Sequence, residues 1–187
     1  MERIRIIHGD ITRLGVDAIV NAAANDLTDG GGVNGTIHRI AGTELLKECQ
    51  TLGGCPTGEA KMTKGYRLAA GHVIHTVGPI WQGGDQNEAE LLTSCYTASL
   101  QLAKQNGFNN IAFSAISCGA NSFPTEQAAE VAIRTIIRFL EQDTSMERII
   151  LVCFNDKIKR VMDDELARHK TGSGQWWTSD RVKSSKG

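Results

Sequence analysis

Apolar positions along this chain switch between two periods. Arg3 to His8 places Ile4 and Ile6 two residues apart, the repeat of a half-buried strand. Asp17 to Asn21 carries Ala18-Ile19-Val20, a short run that predicts a buried strand. Helical spacing follows from Val33 to about Leu52, through Ile37, Ile40, Leu45 and Leu46. His72 to Val77 reads as a strand stopped by Gly78-Pro79. Asn87 to about Asn106 predicts a helix with Leu91, Leu92, Cys95, Leu100 and Leu102 inward and Gly107 as its stop. Asn110 to Ile116 is a strand, and Pro124 to about Glu141 a helix with proline at its first turn. Arg148 to Phe154 predicts a strand covered on both faces, and Asp156 to about His169 a last helix. Alternation of this kind predicts an α/β fold with a largely parallel sheet. In such sheets ligands sit beyond the carboxyl ends of the strands.

From Lys170 to Gly187 the periodicity stops, and Gly, Ser, Lys and Thr surround Trp176-Trp177. That composition predicts a disordered polar tail behind one domain spanning residues 1–169. The paired tryptophans offer a docking element as the alternative.

The 187 residues suffice for one well-filled core. A net charge of −1, with no Arg/Lys stripe, argues against a nucleic-acid binder. No apolar run reaches the ~18 residues of a membrane span, and Met1-Glu2-Arg3-Ile4-Arg5 lacks the apolar core of a secretory signal. Cys49, Cys55, Cys95, Cys118 and Cys153 are odd in number and form no C-x-x-C pair. They read as reduced thiols of a cytoplasmic protein. His72 and His75 are close, but in an alternating strand, and give no metal motif.

Four loops carry candidate chemistry. Gly9-Asp10-Ile11-Thr12 follows the first strand. Its acid can accept the exocyclic amine of adenine while backbone N–H groups read ring nitrogens; a helical cap is the alternative job. Gly30-Gly31-Gly32 precedes a helix, so bare N–H groups and the helix dipole can cradle a phosphate, unless the glycines are only a surface turn. Ser117-Cys118-Gly119-Ala120-Asn121 leaves a buried strand and offers a second cradle opposite the first. Phe154, at the end of the last strand, can stack on a base or simply fill the core.

These segments, with Ile19-Val20-Asn21-Ala22-Ala23, Gly35-Thr36-Ile37-His38, Pro56-Thr57-Gly58 and His75-Thr76-Val77-Gly78-Pro79, occur in one collinear order. Together they resemble the macrodomain family over roughly residues 3–169. The bacterial branch that acts on O-acetyl-ADP-ribose and ADP-ribosylated proteins is the nearest in pattern. The resemblance implies a three-layer α/β/α sandwich on a mixed, mainly parallel sheet, and a cleft for ADP-ribose. It implies that Asp10 and Ile11 meet the adenine and that Phe154 lies against it. Asn21, Ala23, Gly30, Gly31, Gly32 and Val33 would line the first cradle, and Ser117, Cys118, Gly119, Ala120 and Asn121 the second. The implied partners are ADP-ribose, O-acetyl-ADP-ribose or an ADP-ribosylated protein, with no metal or other cofactor.

The chain departs from the family run N-A-A-N-x-x-L-x-G-G-G-G-V-D-G-A-I-H at three places. Ala24 stands at the second Asn, Asp29 at the first of four glycines and Asn34 at the Asp. Asn121 replaces the aromatic that the family places over the distal ribose. In the family the second Asn holds the distal ribose and the Asp orients or activates water. An amide cannot act as that base. A register shift that brings Asn25 to the place of Ala24 is the alternative, although Leu27 falls where the family leucine does without one. Asn25 and Asn34 are therefore the candidate catalytic residues, in a site expected to bind with weak or absent hydrolysis; an active hydrolase with an altered site is the alternative. His38 reads as a base or as a structural residue, and Cys118 as a nucleophile or as part of the loop.

Overall fold

The computed structural model describes residues 3–172. Its six strands are β1 (Ile4–His8), β2 (Ala18–Ala22), β3 (Ala60–Lys64), β4 (His72–Thr76), β5 (Asn110–Ser114) and β6 (Arg148–Cys153). The helices are α1 (Gly32–Ala41), α2 (Thr43–Thr51), α3 (Glu88–Gln105), α4 (Thr125–Gln142) and α5 (Asp156–Gly172), with a 3-10 turn at Ile11–Arg13. One sheet holds the strands in the order β1-β6-β5-β2-β4-β3. Every neighbouring pair is parallel except β3 with β4. The sheet is therefore mixed and mainly parallel, and helices cover both of its faces.

Alternation along the strands builds two apolar layers. Ala18, Val20, Ile74, Ile111 and Phe113 pack beneath α3, α4 and α5. Ile19, Val73, Ala112, Ile150 and Val152 pack beneath α1 and α2, against Ile37, Ala41, Leu45 and Cys49. The parallel strands bring the carboxyl ends of β1, β2, β4, β5 and β6 to one edge of the sandwich.

Four elements differ from the sequence reading. The helix expected from Val33 to Leu52 is two helices, because Gly42 breaks it with φ +90° and ψ 176°. That conformation is open only to glycine. Strand β3 was not expected; its Lys61 and Lys64 mask a short edge strand, a common guard on a sheet edge. On α3 the buried face is Leu92, Cys95, Tyr96, Ser99, Leu100 and Ala103, with Leu91 and Leu102 only partly covered. The last helix runs to Gly172, past the boundary placed at residue 169, and Trp176-Trp177 lie outside the described residues.

A side chain at Gly42 would meet Arg67 at an ordinary 3.5 Å, so the obstacle to substitution is backbone strain alone. Gly42→Ala is expected to lower stability by about 1–3 kcal/mol. Gly15→Ala, with free space around the added methyl, should be near neutral. Urea denaturation of both variants checks this; equal midpoints would refute it.

Candidate functional site

A cleft of about 760 Å³ opens at the carboxyl ends of the parallel strands. Asp10, at the exit of β1, forms one end. Its Oδ1 accepts from the Thr12 backbone N–H at 3.0 Å and from Thr12 Oγ1 at 2.6 Å, capping the 3-10 turn. These bonds hold the carboxyl pKa below its ordinary range, assisted by Arg13 and Arg39. Capping does not exhaust the group: a carboxylate has about four acceptor sites. Phe154, at the exit of β6, lines the same cleft and is 44% exposed rather than buried in the core.

Two loops face each other between these ends. Gly31 (φ +82°) and Gly32 (φ +58°) turn the chain into α1 with open space around them. The N–H groups of the first helical turn have no intrahelical acceptor, and Gly32, Val33 and Asn34 of that turn line this opening. Opposite, Ser117 takes φ +64° and turns the chain through Gly119-Ala120-Asn121. This second turn is fastened to the loop after β4. Ser117 Oγ donates to Pro79 O at 2.9 Å, Asn121 Nδ2 to Gly78 O at 3.1 Å, and the Trp81 N–H to Asn121 O at 2.9 Å. Among the described residues Asp10 is the one charged side chain on the lining. An anion here would be held by backbone dipoles and not by lysine or arginine.

Most of the expected site residues line this cleft: Asp10, Ile11, Ala23, Gly30, Gly31, Gly32, Val33, Asn34, Ser117, Gly119, Ala120, Asn121 and Phe154. Three do not. Cys118 is turned inward, and burial, followed by the neighbouring Cys153, pushes its thiol up to about 12, which removes it as a nucleophile. Asn25 is turned toward the 55–57 loop, where its Nδ2 donates to Cys55 O at 3.0 Å and Thr57 Oγ1 at 3.3 Å. Ala24, its neighbour, lines the cleft. Asn21 is fully buried behind the lining.

Asn21 is the centre of a polar chain that the sequence reading missed. Its Nδ2 donates to Asn34 Oδ1 at 2.8 Å and contacts His75 Nδ1 at 3.3 Å. His75 Nδ1 then accepts, so Nε2–H faces Thr63 Oγ1 at 2.9 Å, and Thr63 Oγ1 donates to Lys64 O at 3.1 Å. At the other end Asn34 Nδ2 donates to Thr28 O at 2.9 Å. The signal was present in outline: β2 and β4 pair in a register that sets Asn21 beside His75. Gly78 was missed as well. It lines the cleft, and a Cβ there would stand 2.3 Å from Ser117 Oγ, so only glycine lets the two loops close up.

The fold and cleft define a three-layer α/β/α domain with its site at the carboxyl edge of a mainly parallel sheet. The family model described as Macro domain matches residues 20–132. A macro domain-containing protein of Methanosarcina mazei is 57% identical over 162 residues, covering 86% of this chain and 87% of that protein. A Citrobacter rodentium protein named O-acetyl-ADP-ribose deacetylase is 52% identical over 163 residues, covering 85% and 92%. The Trypanosoma brucei macrodomain in complex with ADP-ribose superposes with a TM-score of 0.82 at 39% identity, covering 87% of this chain and 68% of that one. This chain belongs to the macrodomain family.

His75 is buried, which holds its pKa down to about 4. An unfolded histidine protonates near 6.5, so between the two values the unfolded chain binds more protons and stability rises with pH. Stability should therefore fall by about 3 kcal/mol as pH drops from about 6.5 to about 4. His75→Gln, which keeps a donor and an acceptor but cannot titrate, should flatten that slope. Urea midpoints measured across this range check it; parallel slopes for the two proteins would refute it.

Proposed function

We propose that this chain binds ADP-ribose, or an ADP-ribosyl metabolite or protein, in the cleft, with weak or absent hydrolysis. Asp10 accepts the adenine amine, with the Ile11 backbone beside it and Phe154 against the ring. The Gly30–Val33 and Ser117–Asn121 turns take the diphosphate from either side, the second held by its bonds to Gly78 and Pro79. The Trypanosoma brucei macrodomain, so named in complex with ADP-ribose, supports this reading.

The observation that carries the weak-hydrolysis half is the state of Asn34. Its oxygen accepts from Asn21 and its nitrogen donates to Thr28 O, so each end of the amide is held by the protein. Nothing at that position can take a proton from water. Ala24 offers no hydrogen bond to a distal ribose, and the amide of Asn25 is engaged elsewhere. Loss of a positioned base alone is worth about 10²–10⁴ in rate. One observation favours a second reading: the relative named O-acetyl-ADP-ribose deacetylase is 52% identical. An active hydrolase with an altered site would fit that name.

Calorimetry with ADP-ribose should give saturable binding, weakened about tenfold or more in Asp10→Asn, the range expected for a hydrogen bond to a charged acceptor. No heat at millimolar ligand would reject the assignment. With O-acetyl-ADP-ribose, acetate release should stay near the buffer rate and rise by about 10²-fold or more in the Ala24→Asn, Asn34→Asp double variant. Rapid release by the unaltered chain would establish the hydrolase reading instead. A double variant that binds ligand and remains inert would mean that the defect lies elsewhere.

A further inference from the structure

A second cleft of about 500 Å³ lies on the far side of the Gly31-Gly32 turn. It shares Gly31, Gly32 and Thr36 with the first, so a single turn of backbone separates the two. Its far wall is the α1–α2 junction at Gly42-Thr43, the break that only glycine allows. Asp29, the residue that replaces a family glycine, lines this second cleft and not the first. Its carboxylate meets only the Gly31 N–H, at a long 3.4 Å.

His38 lines the same cleft. It is 7% exposed, and neither ring nitrogen has a hydrogen-bond partner among the described residues. Burial holds its pKa down, against the opposing field of Asp29, so the ring is neutral with one donor and one acceptor. Unmatched buried groups of this kind are costly, and a ligand seated in the cleft removes that cost. Asp29 can accept a hydrogen bond, Arg39 can donate, and Gly35 and Gly42 bring no side chain to the lining. Donors and acceptors beside glycines without side chains suit an extended peptide backbone.

We propose that this second cleft holds the protein side of a mono-ADP-ribosylated protein: the peptide backbone flanking the modified residue. The inference rests on the reading that the first cleft holds ADP-ribose. With the diphosphate on the glycine turn and the distal end of that ligand beside it at Ala24, the chain it is attached to crosses the turn into the second cleft, which shares Gly31, Gly32 and Thr36 with the first. There Asp29 accepts a peptide N–H and His38 takes a polar partner. The arrangement selects a modified protein over the free nucleotide.

The test compares free ADP-ribose with two short peptides, one mono-ADP-ribosylated on serine and one on arginine. Binding is measured by calorimetry, with the unmodified peptides as controls. At least one modified peptide should bind about tenfold tighter than free ADP-ribose, the gain expected from one charge-assisted hydrogen bond. Asp29→Asn should remove most of that gain. Thr43→Trp, at an exposed position that lines only the second cleft, should remove it by filling the space. Both variants should bind free ADP-ribose as the unaltered chain does. If free ADP-ribose binds and neither modified peptide gains, or if both variants keep the gain, the peptide assignment falls and the first cleft's assignment stands. If no form of ADP-ribose binds, both fall together.

Discussion

The two amide protons of Asn21 hold the site in place. They are the link between the sheet and the N-terminus of α1, because one reaches Asn34 on the helix and the other His75 on β4. Asn34 then holds the 24–31 loop by its bond to Thr28 O. The glycine turn lies between those two attachment points. Its position is set by a buried bond to the sheet, although Gly31 and Gly32 themselves are in open space. Buried amide bonds of this kind are strong because the alternative is an unpaired group away from water. Flexible residues can therefore form a defined turn when both flanks are tied.

The same economy governs charge. A site for a diphosphate would ordinarily be expected to recruit arginine or lysine, yet the lining of the cleft holds neither. The donors are backbone N–H groups at a helix start and in a turn of positive φ, fixed by the fold and needing no side-chain ordering. Such dipoles act at short range and need close approach, which explains why Gly30 to Gly32, Gly119 and Gly78 surround the opening. Asp29, in the glycine run, lines the neighbouring cleft and not this one.

How legible the molecule was in its sequence depended on the range of the interaction. Strand and helix periods are local, and β1, β2, β4, β5 and β6 were readable from them, as were the loops at their carboxyl ends. The failures are features set by non-local partners. Gly42 looks like any glycine within an apolar repeat until the packing of α2 requires its φ of +90°. Strand β3 has lysines at two of five positions and is a strand because β4 offers it an edge. Asn25 was a plausible substitute for the missing family asparagine by position alone. The 55–57 loop, some thirty residues on, takes its amide instead. Leu27 is completely buried, which fixes the register of that stretch and leaves Ala24 on the cleft wall.

Asn34 joins these levels. An amide there gives the relay an acceptor for Asn21 and a donor for Thr28 O at once. A carboxylate could accept from Asn21 but would set oxygen against oxygen at Thr28. It would also place a negative charge where its neighbours in the relay are uncharged, the kind of burial that raises a carboxyl pKa and weakens the fold. Ala24, the other departure from the family run, lines the same cleft with a methyl group in place of an amide. With Asn34, each end of the amide has a partner in the relay. Among the described residues the Asn21 oxygen is buried without a partner.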